Sequence, residues 1–174
     1  MTTANHLIKK VHKEKSLVLL SALILILLLG TGSLLLYTIL TGKIPCILGS
    51  GIIAIIFITL VLSYGYAPLS IELSDRSLIL HRGIGKKVIH YADMKHIDTY
   101  ISKEAMIRTC GIGGLFGFTG WYYTKKLGTF FSYVGDYSQT FCIELKNRKK
   151  YLLSGEDRDY LVAFLKEKIS EEKA

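Results

Sequence analysis

The apolar and polar positions change period twice along the chain. From Leu17 to Leu40 no charged side chain interrupts a run dominated by Leu and Ile. Thr41, Gly42 and Lys43 break it, and a second charge-free apolar run extends from Ile44 to about Tyr66. A helix needs about 20 apolar residues to cross the hydrocarbon core of a bilayer, and both runs reach that length. A cleaved signal peptide fits poorly, because the first run is too long and the second follows at once. The pattern predicts a two-helix transmembrane hairpin over residues 17–66.

From Ala67 the period shortens to two. Leu69–Ser74 and Ser77–Arg82 alternate around Asp75-Arg76, and Lys86–Tyr91 follows a Gly83-Ile84-Gly85 turn. His96–Ile101, Thr129–Val134, Thr140–Leu145 and Tyr151–Ser154 complete seven short segments separated by turn residues. Such spacing predicts a seven-stranded antiparallel sheet bent into a barrel or sandwich. The period then turns helical, with Tyr160, Leu161, Phe164, Leu165 and Ile169 on one face. Ser154 is placed to cap this helix, with Glu156, Asp157 and Asp159 at its positive end and Lys166 and Lys168 at the other. An amphipathic helix here would cap one end of the sheet, giving an α+β domain. The expected organisation is a basic N-terminal tail over 1–16, the hairpin over 17–66 and a cytosolic domain over 67–174, ending in a charged "SEEKA" tail.

Charge fixes the expected orientation. Lys9, Lys10, Lys13 and Lys15 precede the first span, whereas the turn between spans holds only Lys43. Lysines gather on the cytoplasmic side, so both termini are expected there and the short turn outside. The formal net charge of +8 raises the question of nucleic acid. From Ala67 onward there are 17 basic and 13 acidic side chains, a modest excess that an anionic leaflet accounts for without nucleic acid. Within the hairpin, Gly30, Gly32 and Ser33 lie about as far before the Gly42 turn as Gly49, Ser50, Gly51 and Ala54 lie after it. Small residues at a common depth would let the two helices approach closely. Pro45 suits the first turn of the second helix.

Candidate chemistry is sparse. The stretch "RTCGIGGLFGFTGWYYTKKLGTFFSYV" (Arg108–Val134) holds six glycines. A dinucleotide fingerprint begun at Gly111 would need glycine where Phe116 stands, and no Lys-Ser or Lys-Thr pair follows at P-loop spacing. Gly111, Gly113, Gly114, Gly117 and Gly120 therefore read as residues of backbone geometry. His81, His90 and His96 lack a ligand spacing, Cys46, Cys110 and Cys142 form no paired framework, and no catalytic motif is present. No enzyme, cofactor or metal is expected. Trp121, Tyr122 and Tyr123 stand directly before Lys125 and Lys126. That grouping suits the headgroup layer of a membrane, or packing under a loop or against a partner or second copy.

The Arg108–Val134 stretch, followed by "KKYLLSGEDRDYLVAFLKEKI" (Lys149–Ile169), resembles the bacterial pleckstrin-homology domain family, over roughly Pro68 to Ile169. The shared signs are the arginine, the Gly-Gly-Leu-Phe-Gly run, the Lys-Leu-Gly turn, and a last strand leading into the final helix. The resemblance implies a PH-like sheet capped by a C-terminal helix, commonly carried behind a transmembrane hairpin in the bacterial inner membrane. In many pleckstrin-homology domains a basic hairpin binds inositol phosphates. Its counterpart here is only Ser74-Asp75-Arg76-Ser77, which speaks against that ligand. The expected function is a membrane-anchored interaction module that recruits a protein partner or self-associates at the inner face. The alternative is a small-molecule sensor or an accessory subunit of a transport complex. An ion route is not expected, since the notable polar groups of the spans are Ser21, Ser33, Thr38, Ser50 and Thr59, none of them ionisable, and no charged side chain lies within either run.

Overall fold

The computed structural model describes residues 7–101 and 104–172, and only the backbone of Ile112. The two apolar runs are helices α1 (Lys15–Leu40) and α2 (Cys46–Tyr66), both long and apolar enough to cross a membrane. Their seam is set by a spacing of three and four residues. Ser21, Leu25, Leu28, Gly32, Leu35 and Ile39 on α1, and Gly49, Ile53, Ile56, Leu60 and Ser63 on α2, follow that spacing and are partly or fully buried, as are Leu17, Ile24, Thr38 and Gly65 beside them. Of the small residues expected at the contact, only Gly32 and Gly49 lie on this seam. A Cβ on Gly49 would stand 2.5 Å from the Ile39 side chain, while Gly30, Gly32 and Gly51 have nothing within 4 Å. Gly30, Ser33, Ser50, Gly51 and Ala54 are exposed. Equal distance from the turn fixes depth, but each residue also rotates the face by about 100°, and that rotation carries these five away from the partner helix.

The domain has two sheets rather than one of seven strands. The first has four antiparallel strands in the order β1 (Leu7–Lys10), β2 (Pro68–Leu73), β3 (Ser77–Arg82) and β4 (Lys86–His90). The second has six: β5 (Met94–Thr99), β6 (Ile107–Gly113), β7 (Phe118–Thr124), β8 (Gly128–Val134), β9 (Thr140–Leu145) and β10 (Lys150–Ser154). Their order across the sheet is β5-β9-β10-β8-β7-β6, with β10 parallel to β8. Three strands were not expected. β1 lies in the segment assigned to a basic tail, where Leu7-Ile8-Lys9-Lys10 is too short to show a period. β6 and β7 lie in the glycine-rich stretch, where glycines interrupt the alternation.

β1 makes the domain discontinuous. It pairs antiparallel with β2, Leu7 opposite Leu73 and Lys10 opposite Ser70. The helical hairpin therefore stands where a tight turn would join two neighbouring strands. The boundary expected at residue 67 is thus corrected: a strand from before the hairpin belongs to the same sheet.

The main core lies between the sheets and under helix α3 (Arg158–Glu171). Ile71, Leu73, Leu78 and Leu80 meet Ile97, Tyr133, Phe141, Ile143 and Leu153, and α3 adds Leu161, Val162, Leu165 and Ile169. Tyr160, expected on that face, is exposed, and Val162 takes its place. Nor does Ser154 cap the helix. Asp157 is the N-cap residue, and the Ser154 hydroxyl accepts from the Gly135 N–H at 2.8 Å. The alternate residues of the second sheet, Tyr122, Phe130, Val134, Cys142 and Leu152, form a second cluster with Tyr100 on its other face. A sheet covered on both faces explains why β8 to β10 read as nearly unbroken apolar runs.

Candidate functional site

The Gly-Gly-Leu-Phe-Gly run is the tip of the β6–β7 hairpin, and it closes on α1. The Gly114 N–H donates to the Gly117 carbonyl at 3.2 Å, forming the turn. Gly114 has φ +96°, a conformation open to glycine at little cost, and its carbonyl accepts from the Ser21 hydroxyl at 2.9 Å. The same hydroxyl oxygen accepts from the Phe116 N–H at 3.1 Å and lies 2.7 Å from the Leu17 carbonyl. Leu115 is buried, and Phe116 meets the edge of Tyr64 on α2 with ring centroids 5.9 Å apart. One polar side chain inside an apolar helix thus satisfies two backbone groups of the turn. Of these glycines Gly114 closes on α1, where a Cβ would stand 3.1 Å from Leu20, while Gly117 closes on the domain, where a Cβ would stand 3.0 Å from Pro68.

A second turn closes on α2. The Gly83 N–H donates to the Ala67 carbonyl at 3.1 Å, and the Ile84 N–H to the Gly65 carbonyl at 2.9 Å. A Cβ on Gly83 would stand 2.0 Å from the Tyr64 carbonyl oxygen, so only glycine fits there. Beside it the Arg82 guanidinium stacks over Tyr66 at 5.3 Å and donates to the Tyr133 hydroxyl at 3.4 Å, while its buried Nε has no partner among the described residues. Burial raises the Tyr133 phenol, and Arg82 opposes that rise. On the other side Lys13 lies 5.9 Å over Phe116, and burial lowers its ammonium pKa. The Glu14 N–H donates to the Gly135 carbonyl at 3.2 Å, and the Thr119 hydroxyl to the Tyr66 carbonyl at 3.3 Å.

The aromatic group before Lys125 divides by strand alternation. Tyr122 is buried and stacks on Phe130 in the second cluster, so it is no surface contact. Trp121 and Tyr123 point to the opposite face, each 42% exposed, with Trp121 edge-on to Phe131 at 5.1 Å. Ile107, opposite Tyr123 in register, is 61% exposed. Lys125 and Lys126 form the exposed β7–β8 turn, at the other end of β7 from the joint with the helices. β6 itself is an edge strand, and Gly111 faces Gly120 across the pair. A Cβ on Gly120 would stand 2.3 Å from the Cys110 carbonyl oxygen, so this close crossing requires glycine.

A groove of about 830 Å³ opens between the N-terminal strand and the start of α3, lined by Lys9, His12, Asp136, Gln139 and the segment from Glu156 to Tyr160. An ion pair between Lys9 and Asp157 crosses it. Its charges are mixed, suiting a polar contact better than a single anion or cation. Among the described residues no group of three or more His, Cys, Asp or Glu could hold a metal ion.

In the sequence Ser21 stands out only as a polar group within a span, Gly83-Ile84-Gly85 only as a turn, and Tyr64 not at all. A serine in an apolar helix and a glycine pair around isoleucine are ordinary locally, and only the tertiary contacts give them a role. The family model described as Bacterial PH domain matches residues 69–169. No curated protein and no solved structure matches the chain.

Proposed function

Because the chain belongs to the bacterial PH domain family, we propose that it is a membrane-anchored interaction module holding a protein partner, or a second copy, at the inner face of the membrane. In this reading α1 and α2 span the bilayer and both termini are cytoplasmic. The support is physical. The hairpin leaves Leu19, Ile26, Leu29, Leu40, Ile47 and Phe57 more than half exposed, a surface suited to lipid rather than water. The lysines gather before α1, with Lys43 alone in the turn.

The observation that carries the module is the patch of Ile107, Trp121 and Tyr123. It is an apolar surface beside an open sheet edge, flanked by the cations of Lys125 and Lys126 in the β7–β8 turn. An exposed aromatic cluster next to unpaired backbone groups is the composition of a protein contact. A photo-reactive residue in place of Trp121 or Tyr123 in native membranes should give a defined adduct, and one in place of buried Tyr122 should not. Normal accumulation with no adduct from either exposed position would sink the proposal. The sensor or transport-accessory reading draws on one observation, the hydrogen-bonded joint, through which a shift in the domain would move α1.

A further inference from the structure

The β3–β4 turn has a place in the bilayer that follows from helix length. α2 has 21 residues, which at about 1.5 Å each span about 31 Å, the thickness of a hydrocarbon core of about 30 Å. With Lys43 at the outer end, Gly65 and Tyr66 reach the inner boundary of that core. The Ile84 N–H is bonded to the Gly65 carbonyl, so the tip of the turn lies at the same depth. Counting back about 20 residues from Leu40 on α1 arrives at Ser21, where the Gly114–Gly117 turn is bonded. The two hairpin tips are therefore level with each other and with the boundary. Ile84 is 60% exposed at its tip, an apolar side chain on a turn that water would leave polar. Between Asp75 and Asp93 the chain carries Arg76, Arg82, Lys86 and Lys87 and no carboxylate. Lys87 turns back over the Tyr151 ring at 5.3 Å, whereas Lys86 is exposed beside Ile84. Among the described residues the buried Nε of Arg82 has no partner.

We propose that this turn is a lipid seat, in which Ile84 enters the inner leaflet at the hydrocarbon boundary and Lys86 with Arg82 takes the phosphate of an anionic phospholipid. The seat rests on the reading that α1 and α2 span the membrane. It differs from an inositol-phosphate pocket, because the apolar tip and the cation act together on a leaflet and no enclosed site is needed. Each cation near an anionic leaflet contributes a factor of about five in lipid preference. The seat would hold the domain against the membrane at a point separate from the Trp121 patch, which leaves that patch free for a partner.

The full chain carrying Ile84→Trp with Trp121→Phe has one indole, since Trp121 is the only tryptophan. It is reconstituted in phosphatidylcholine vesicles with and without phosphatidylglycerol, and alkaline extraction checks insertion. Lipids brominated at shallow acyl positions should quench that indole more than deeply brominated ones. In the otherwise unaltered protein, Lys86→Glu should lower the phosphatidylglycerol retained relative to phosphatidylcholine about fivefold. An inserted protein whose indole is not quenched, or whose lipid retention ignores Lys86→Glu, overturns the seat and leaves the spanning reading intact. A protein that alkali extracts from the vesicles overturns both.

Discussion

Ser21→Ala tests the joint directly. The substitution removes the acceptor of the Phe116 N–H and the donor to the Gly114 carbonyl, at 3.1 and 2.9 Å, while leaving helix propensity and packing volume almost unchanged. The site is shielded: Ser21 is 7% exposed and Leu115 beside it 6%. Leaving a shielded N–H without a partner costs about 1–3 kcal/mol. The main core does not touch this turn, so the loss should appear as local opening rather than global unfolding. At about 1.4 kcal/mol per tenfold, amide exchange of Phe116 should accelerate about 5- to 150-fold. Hydrogen exchange read by mass spectrometry on the full chain in nanodiscs gives the number, with the Ile143 peptide of the core as internal reference. Unchanged exchange at Phe116 would refute the joint as described. Equal acceleration at both peptides would show that the substitution acts on the whole fold.

Two further outcomes follow from the geometry. Gly120→Ala places a methyl against the Cys110 carbonyl in a backbone of φ +144°, so the β6–β7 pair must shift. A cost of about 1–3 kcal/mol is expected, and the melting temperature should fall by about 5–20 °C in thermal unfolding, whereas an unchanged midpoint would show that the strands separate freely. Among the cysteines, Cys46 and Cys110 are exposed and Cys142 is buried, its thiol pushed up to about 11 by desolvation. An impermeant maleimide applied to intact cells near pH 8 should label Cys46 alone, and permeabilisation should add Cys110 but not Cys142. Labelling of Cys110 without permeabilisation would reverse the proposed topology.

Much of the fold was legible where one signal acted alone. The two apolar helices are set by length and lack of charge, β2, β3 and β4 by alternation, and β8, β9 and β10 by short apolar runs between turn residues, each within a residue or two of the observed ends. What escaped was structure fixed by contact. β1 exists because β2 offers it a partner. β6 and β7 hold glycines because the two strands cross closely at Gly111 and Gly120, and those glycines remove the alternation that would have revealed them. The candidate surface was half legible. Trp121 and Tyr123 stand out by type, but only register separates them from Tyr122, because adjacent residues of a strand face opposite ways. The joint was invisible, since Ser21 and Gly114 are 93 residues apart.

The manner of attachment bears on how such a domain could work. A flexible linker would let it move without the membrane segment noticing, but only Ala67 separates the end of α2 from β2. On the other side, Val11 to Glu14 connects β1 to α1, and two of those four residues are hydrogen-bonded to the domain, Val11 to Leu69 and Glu14 to Gly135. Paired strands sit about 4.8 Å apart, whereas packed helices sit about 8–10 Å apart. The splay between them is therefore taken up within those few residues, and the two turns at Gly83 and Gly114 brace it from either side. Any tilt of α1 against α2 must strain the β1–β2 pair or break one brace, and each brace is only one or two hydrogen bonds. The Gly-Gly-Leu-Phe-Gly run is then the brace on α1. Its glycines let the chain turn, Leu115 fills the gap, and Phe116 reaches across to α2 at Tyr64. A load on the Trp121 face, which lies on the same hairpin as that brace, would be felt first at Ser21.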